Sequence, residues 1–324
     1  MATDWHPTAE IATLRERARL IAALRAFFAE RDVLEVETPV LSHGGSTDVH
    51  LASLSTQATT PAGRETLWLQ TSPEFHMKRL LAAGSGPIFQ LARSFRDGEV
   101  GRRHNIEFTM LEWYRPGFSL AELISECDAL IRQLLPQDPG PLRQRRYRQL
   151  FREALGVDPF TATLDELQRL ASKHGGLDMA NSPHDDCLDL LMSLVIEPTL
   201  GRDGVDVVVD YPASQAALAR RHRDPQDGEW VAARFEIYLA GLELANGYDE
   251  LIDANEQRSR FSADNAQRRA LGRPEVDIDE RLLAALAAGM PPGCGVALGL
   301  DRLLQLALGK ERVAEVMAFA TPRC

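Results

Sequence analysis

The sequence predicts an α+β fold built on a largely antiparallel sheet. Two observations carry this. Strand and helix signals mix along the chain without the regular alternation of a doubly wound sheet. Residues 231–250 are strand-rich and hold a hairpin pattern.

Taken in order, residues 11–31 read as an amphipathic helix. Leu14, Ala18, Ile21, Leu24 and Phe28 recur at helical spacing, with Arg15, Arg17, Arg19 and Arg25 between them. "VLEVETPVL" reads as a strand ending at Pro39, whose missing N–H suits an edge or an interface. "ETLWLQTSPEF" is a strand running into a helix, with Ser72 as N-cap, Pro73 at the first helical position and Glu74 in the first turn. Residues 106–114 read as a strand, and 119–135 and 163–174 as helices. "VDVVVDYP" is an apolar strand. Asp253, followed by Glu256, opens a helix that stops near Gly272. "GVALGLDRLLQLALG" is a strand passing into an apolar helix.

Composition narrows the classes. The 324 residues are 44% hydrophobic and 26% charged, as in a soluble globular protein. Net charge is −11, which disfavours extended nucleic-acid binding but leaves room for a local basic patch. Cys127, Cys187, Cys294 and Cys324 lack zinc-ligand or redox spacing, so they read as reduced thiols. The start, "MATDWHPTAE", has no signal pattern, and the cytoplasm is the expected location.

Three clusters carry chemistry. In "NIEFTMLEWY", strand alternation puts Phe108, Met110, Glu112 and Tyr114 on one face. A carboxylate on such a face is costly without a cation or donor. It is either a rim or salt-bridge residue, or a socket for a ligand ammonium. The preceding "FRDGEVGRRHN" is a loop whose arginines are either solvated or a phosphate clamp. In "RFEIYLAGLELANGYDE", a two-residue turn at Ala240-Gly241 makes Tyr238 face Glu243 and sets Glu236 diagonal to Glu243. These are two exposed hairpin acids or a pair able to hold hydrated Mg²⁺, and the density of Asn246 and Glu250 favours a site. In "GCGVALGLDR", small strand residues let a flat ligand approach, with Arg302 at the strand-to-helix junction.

Together these motifs resemble the catalytic domain of class II aminoacyl-tRNA synthetases, most closely lysyl-tRNA synthetase. The first class motif matches "FFAERDVLEVETPVLS", the second "FRDGEVGRRHNIEFTMLEWY" and the third "GVALGLDR". The similarity runs from about residue 11 to the end. It implies the class II catalytic fold, an antiparallel sheet flanked by helices. It implies one catalytic domain over 1–324 with a mainly helical insertion at about 119–200. No N-terminal OB-fold for an anticodon is expected. The chain is therefore similar to the free-standing paralogues that modify elongation factor P with lysine or (R)-β-lysine.

The resemblance also implies roles. Arg96 binds the substrate carboxylate and α-phosphate, and Arg302 reaches the γ-phosphate. Asp97, Gly98, His104, Asn105, Phe108, Glu243, Leu244 and Gly299 complete the ATP set. Glu236 and Glu243 carry Mg²⁺. Ser72, Pro73 and Glu74 lie at the amino group beside the reacting carboxylate. Glu112, Tyr114, Asn246 and Glu250 take the distal ammonium side. Two departures stand out. The class places Glu two residues after the second-motif Arg, where this chain has Gly98, so Glu99 or Asp97 substitutes. Lysyl-tRNA synthetases have Gly where this chain has Ala297, whose methyl crowds an α-amino group. A homodimer is implied by the segment around Pro39. The rival readings are a minimal tRNA-charging enzyme, for which "RQRRYR" at 143–148 argues, and a non-catalytic amino-acid binder.

Overall fold

The computed structural model describes residues 5–324. Helix α1 (Ile11–Ala29) leads to two short strands, β1 (Leu34–Glu35) and β2 (Leu41–Ser42). The hairpin β3 (Ser55–Thr60) and β4 (Gly63–Leu69) precedes α2 (Glu74–Ala82). Strands β5 (Ile88–Phe95) and β6 (Glu107–Pro116) follow, then α3 (Leu120–Leu134). Next come β7 (Leu142–Arg146), α4 (Tyr147–Leu155), α5 (Leu164–Gly175) and α6 (His184–Leu191). Strands β8 (Val205–Pro212), β9 (Arg221–Arg223), β10 (Trp230–Leu239) and β11 (Leu242–Asp249) form a run. Helices α7 (Ala254–Ala270) and α8 (Glu280–Gly289), strand β12 (Gly293–Gly299) and α9 (Leu300–Ala307) close the chain.

The chain divides into two compact units. Of the described residues, the first comprises 5–118, 129–136 and 251–324. Its main strands run in the order β1-β5-β6-β12. β1 and β5 are parallel, and the other neighbours antiparallel. β2, β4 and β3 form a separate antiparallel sheet. The second unit comprises 119–128 and 137–250. Its strands run β11-β10-β8-β7, with β9 on β10, and only β7–β8 is parallel. Its core gathers Tyr147, Phe151, Leu167, Leu188 and Val208. The architecture is the α+β, mostly antiparallel one that the sequence predicts.

Three local expectations are corrected. The proposed strand through Pro39 shrinks to two residues on either side of an extended stretch, in which Val36 N–H bonds Phe89 O at 2.9 Å and Val40 O accepts from Gln70 N–H at 3.0 Å. Helix α2 starts one residue later than expected, at Glu74, and Pro73 is its cap. Ser72 Oγ still accepts from Glu74 N–H at 3.3 Å. The buried stripe of α1 is Thr13, Leu20, Leu24, Phe27 and Phe28, so Ala18 faces outward. The helix is turned because Arg17 points inward, where its Nη1 meets buried Asp301 at 2.6 Å.

Candidate active site

In the first unit, register builds one face. Glu112 of β6 pairs with Gln90 of β5 and Ala297 of β12. Tyr114 pairs with Ile88 and Gly295 in the next row. Directly paired residues share a face, so Gln90, Glu112 and Ala297 form a row beside Tyr114. Glu112 is buried, and Tyr114 Oη donates to its Oε1 at 2.6 Å. Thr38 Oγ1 donates to Gln90 Oε1 at 3.0 Å. A buried carboxylate flanked by a hydroxyl and by the small side chain of Ala297 suits an ammonium group.

The loop after β5 holds the expected phosphate-binding groups. Arg96 N–H bonds Ile106 O at 2.9 Å, which closes the loop. The Arg96 guanidinium lies 5.2 Å from the Phe108 ring centroid and 3.8 Å from Glu99. Gly98 has φ 77°, a left-handed conformation that disfavours a Glu side chain at this position. Glu99, one residue on, is the carboxylate beside Arg96, while Asp97 is exposed and its N–H is spent on Ala52 O at 2.8 Å.

Arg302 opens α9, and its Nη2 lies 2.7 Å from His104 Nε2. Burial and then the Arg302 charge push the His104 pKa down. A neutral imidazole can accept from Arg302 through Nε2. Asp301, beside Arg302, fixes that helix start by accepting from Thr109 N–H at 2.7 Å and pairing with Arg17. Asn105 is held within the loop. Its Nδ2 donates to Glu107 O at 2.6 Å and its Oδ1 accepts from Thr321 N–H at 3.0 Å, so it ties the loop to the chain end. Phe108 packs on Val313, Met317 and Ala320. Gly299 immediately precedes α9.

Glu74 sits in the first turn of α2, where Lys78 Nζ meets its Oε1 at 2.6 Å. The approach to α2 is pinned by three bonds. Gln70 N–H reaches Val40 O at 3.0 Å, Phe95 N–H reaches Gln70 O at 2.9 Å, and Gln70 Nε2 reaches Arg93 O at 2.8 Å.

The second unit holds the hairpin acids. Ala240 and Gly241 form the two-residue turn, with φ 54° and 71°, as a type I′ hairpin requires. Tyr238 faces Glu243 as expected, and Glu236, two residues back along β10, lies on the same face diagonal to Glu243; what differs from a regular hairpin is the residue directly opposite Glu236. Ile237 pairs with Ala245 and Tyr238 with Glu243, which leaves Leu244 as an extra, bulged residue. The bulge moves Asn246 opposite Glu236, so Glu236, Tyr238, Glu243 and Asn246 share one face. Glu250 is buried and makes an isolated bridge to Ala219.

Glu236 is a hub. Its Oε2 accepts from Tyr211 Oη at 2.6 Å and from Tyr238 Oη, and its Oε1 pairs with Arg234. Burial, then the Glu236 charge, pushes both phenol pKa values up, so both stay donors. Arg234 Nε also donates to Asn246 Oδ1 at 3.2 Å. A carboxylate offers about four lone-pair sites, and Tyr211, Tyr238 and Arg234 take three of those on Glu236. Glu243 is only partly buried, and its oxygen donor suits Mg²⁺. Sequence reading missed Arg234, Tyr211 and Glu197, whose Oε1 lies 3.5 Å from Tyr238 Oη. The i, i+2 spacing of Arg234 and Glu236 on a strand was the available signal.

The basic run at 143–148 is neutralised. Arg143 pairs with Asp206 at 3.0 Å, Arg145 with Glu153 at 2.7 Å, Arg146 with Asp210 at 2.9 Å, and Arg148 with Asp158 at 2.5 Å.

Residues 4–323 match the family of class II tRNA synthetases (D, K and N). This chain belongs to that family. Class II membership implies ATP use. Among curated relatives, the elongation factor P–(R)-β-lysine ligase of Haemophilus influenzae (strain PittGG) is 52% identical over 318 residues, 98% of this chain and 97% of its own. The protein of that name from Mannheimia succiniciproducens is 53% identical over 317 residues, 97% of each chain. That from Erwinia tasmaniensis is 50% identical over 325 residues, 99% of this chain and 98% of its own. Among the described residues, no helix is long and apolar enough to cross a membrane.

Proposed function

We propose that this protein activates (R)-β-lysine with ATP and transfers it to a lysine ε-amino group of elongation factor P. The observation that carries the reading is the near-complete match, at about half identity, to ligases bearing that name. The buried Glu112–Tyr114 pair beside Ala297 supports a diamino acid as substrate.

In this reading the substrate carboxylate oxygen attacks the α-phosphorus. The bond to the bridging oxygen breaks and pyrophosphate leaves. The partner's neutral ε-amine then attacks the acyl carbon, AMP leaves, and the amine loses a proton. No protein nucleophile is required. Arg96 neutralises carboxylate and α-phosphate, and Arg302, held by neutral His104, meets the γ-phosphate. Phe108 stacks on adenine, with Asp97, Gly98, Asn105, Leu244 and Gly299 shaping the nucleotide's surroundings. Glu99 takes the place of the carboxylate missing at Gly98. Glu74, next to Ser72 and Pro73, receives the amino group near the reacting carboxylate. Glu112, Tyr114, Asn246 and Glu250 receive the distal ammonium side. Glu236 and Glu243 hold Mg²⁺, which supplies positive charge to the phosphates.

The active form is a homodimer in the cytoplasm. Leu34, Val40 and Leu41 stay exposed around Pro39, and a twofold contact would cover them. The four free cysteines accord with a reducing compartment. Sedimentation of only monomer at micromolar concentration refutes the dimer. Pairing of the basic run with carboxylates disfavours RNA as acceptor. The test is amino-acid-dependent ATP–pyrophosphate exchange with L-lysine and (R)-β-lysine, followed by transfer of labelled amino acid to elongation factor P. Exchange without transfer to the protein, but with transfer to tRNA, overturns the proposal.

A further inference from the structure

The chain holds only three lysines, Lys78, Lys173 and Lys310, among 36 Lys plus Arg. One of them is among its most buried side chains. Lys78 is 1% exposed, and its Nζ lies 2.6 Å from Glu74 Oε1, one helical turn back. Lysine is almost never this buried unless paired. An exposed i, i+4 pair contributes little, but this one is shielded from water on the lysine side. We propose that Lys78 is a positioning residue for Glu74, fixing which carboxylate oxygen meets the amino group of the substrate.

The argument runs through geometry. Glu74 keeps 15% of its side chain exposed, and Lys78 takes Oε1. In the proposal the ligand ammonium meets the opposite oxygen, Oε2. The backbone leading to Glu74 is pinned to Val40, Arg93 and Phe95, so the ion pair removes the remaining side-chain freedom. A guanidinium is a broad planar fork, whereas an ammonium is a compact charge. At the buried position 78 the compact ammonium fits where the broad guanidinium fork would need more room. Lys78 touches no reacting atom in this scheme; it acts through Glu74.

The inference rests on the amino-group role proposed for Glu74, so the experiment separates the two. The probes are (R)-β-lysine and 6-aminohexanoate, which keeps the carboxylate and distal ammonium but has no amino group near the carboxylate. Inhibition constants or KM values are measured in pyrophosphate exchange for wild type, Lys78→Met and Glu74→Gln, with KM for ATP and Tm alongside. Lys78→Met is expected to weaken (R)-β-lysine at least tenfold, while 6-aminohexanoate and ATP change less than about twofold. Glu74→Gln is expected to show the same selective loss. If Glu74→Gln weakens both amino compounds equally, the Glu74 reading falls and the proposal with it. If Glu74→Gln is selective and Lys78→Met is not, only the Lys78 proposal falls. Should Lys78→Met not fold, Lys78→Arg keeps the charge but displaces it, and the same selective loss is expected; an unselective one overturns the proposal.

Discussion

Replacing Ala297 by glycine removes one methyl from the row that holds Glu112. Ala297 is paired directly with Glu112 across β12 and β6, so their Cβ atoms lie about 5 Å apart on the same face. Glu112 is buried, whereas Ala297 remains partly exposed. Its methyl therefore borders open space rather than packed core. An α-amino group attached next to the carboxylate competes for that space, and a β-amino group is displaced by one carbon. A methyl-sized change in a pocket discriminates by about 1–3 kcal/mol, roughly tenfold to a few hundredfold. Ala297→Gly is expected to shift the ratio of kcat/KM for (R)-β-lysine over L-lysine by that factor toward L-lysine. The cost to the fold is small, about 0.5–1 kcal/mol for glycine inside a strand. The assay is adenylate formation with each isomer for both variants, with Tm as a control. An unchanged ratio in a folded variant refutes the steric argument and moves the source of selectivity away from β12.

Other outcomes follow from the same geometry. Glu243→Ala is expected to abolish pyrophosphate exchange with Tm nearly unchanged, because Glu243 lies partly exposed on a hairpin; normal exchange refutes its metal role. Glu236→Ala is expected to cost about 3–5 kcal/mol in urea unfolding, because it strands partly buried Arg234 and two buried tyrosine hydroxyls. Burial lifts the Asp158 carboxyl, but Arg148, the Phe160 amide and Arg152 outweigh it and hold the pKa at about 2 against an ordinary 3.8. Asp158→Asn is therefore expected to lose about 2 kcal/mol at neutral pH, a difference that fades as pH falls from 3.8 toward 2. The His104 imidazole, followed by NMR, is expected to titrate below 6.5, so stability rises with pH up to that value; a midpoint at or above 6.5 refutes the neutral contact with Arg302.

Much of the fold was legible because its signals are local. Asp253 was readable as a cap from side-chain chemistry, and it does accept from the N–H groups of Asn255 and Glu256. The β8 strand is readable from its valine-rich run, Val205–Pro212, although Asp206 and Asp210 interrupt it. What failed was set by tertiary contacts. The segment through Pro39 has strand composition, yet its ladder lasts only two residues against β5. The face of α1 was misjudged because an arginine was assumed to point outward, and Arg17 instead joins Asp301 and Thr109 inside.

The site shows the same division, with one instructive case. A regular hairpin after Ala240-Gly241 puts Ala245, not Asn246, opposite Glu236. One bulged residue, Leu244, changes that and adds Asn246 to the face that Glu236 and Glu243 share. No periodicity rule predicts a bulge, because it breaks the period. Charge tells a parallel story. The arginines at 143–148 and those at 96–103 look alike in sequence, but the first group is absorbed by Asp206, Glu153, Asp210 and Asp158. In the second group, Arg96 stands over Phe108 near Glu99. Arginine clusters acquire meaning from the carboxylates the fold sets against them. In this chain the pairing leaves little basic surface in the 143–148 run for a polyanion.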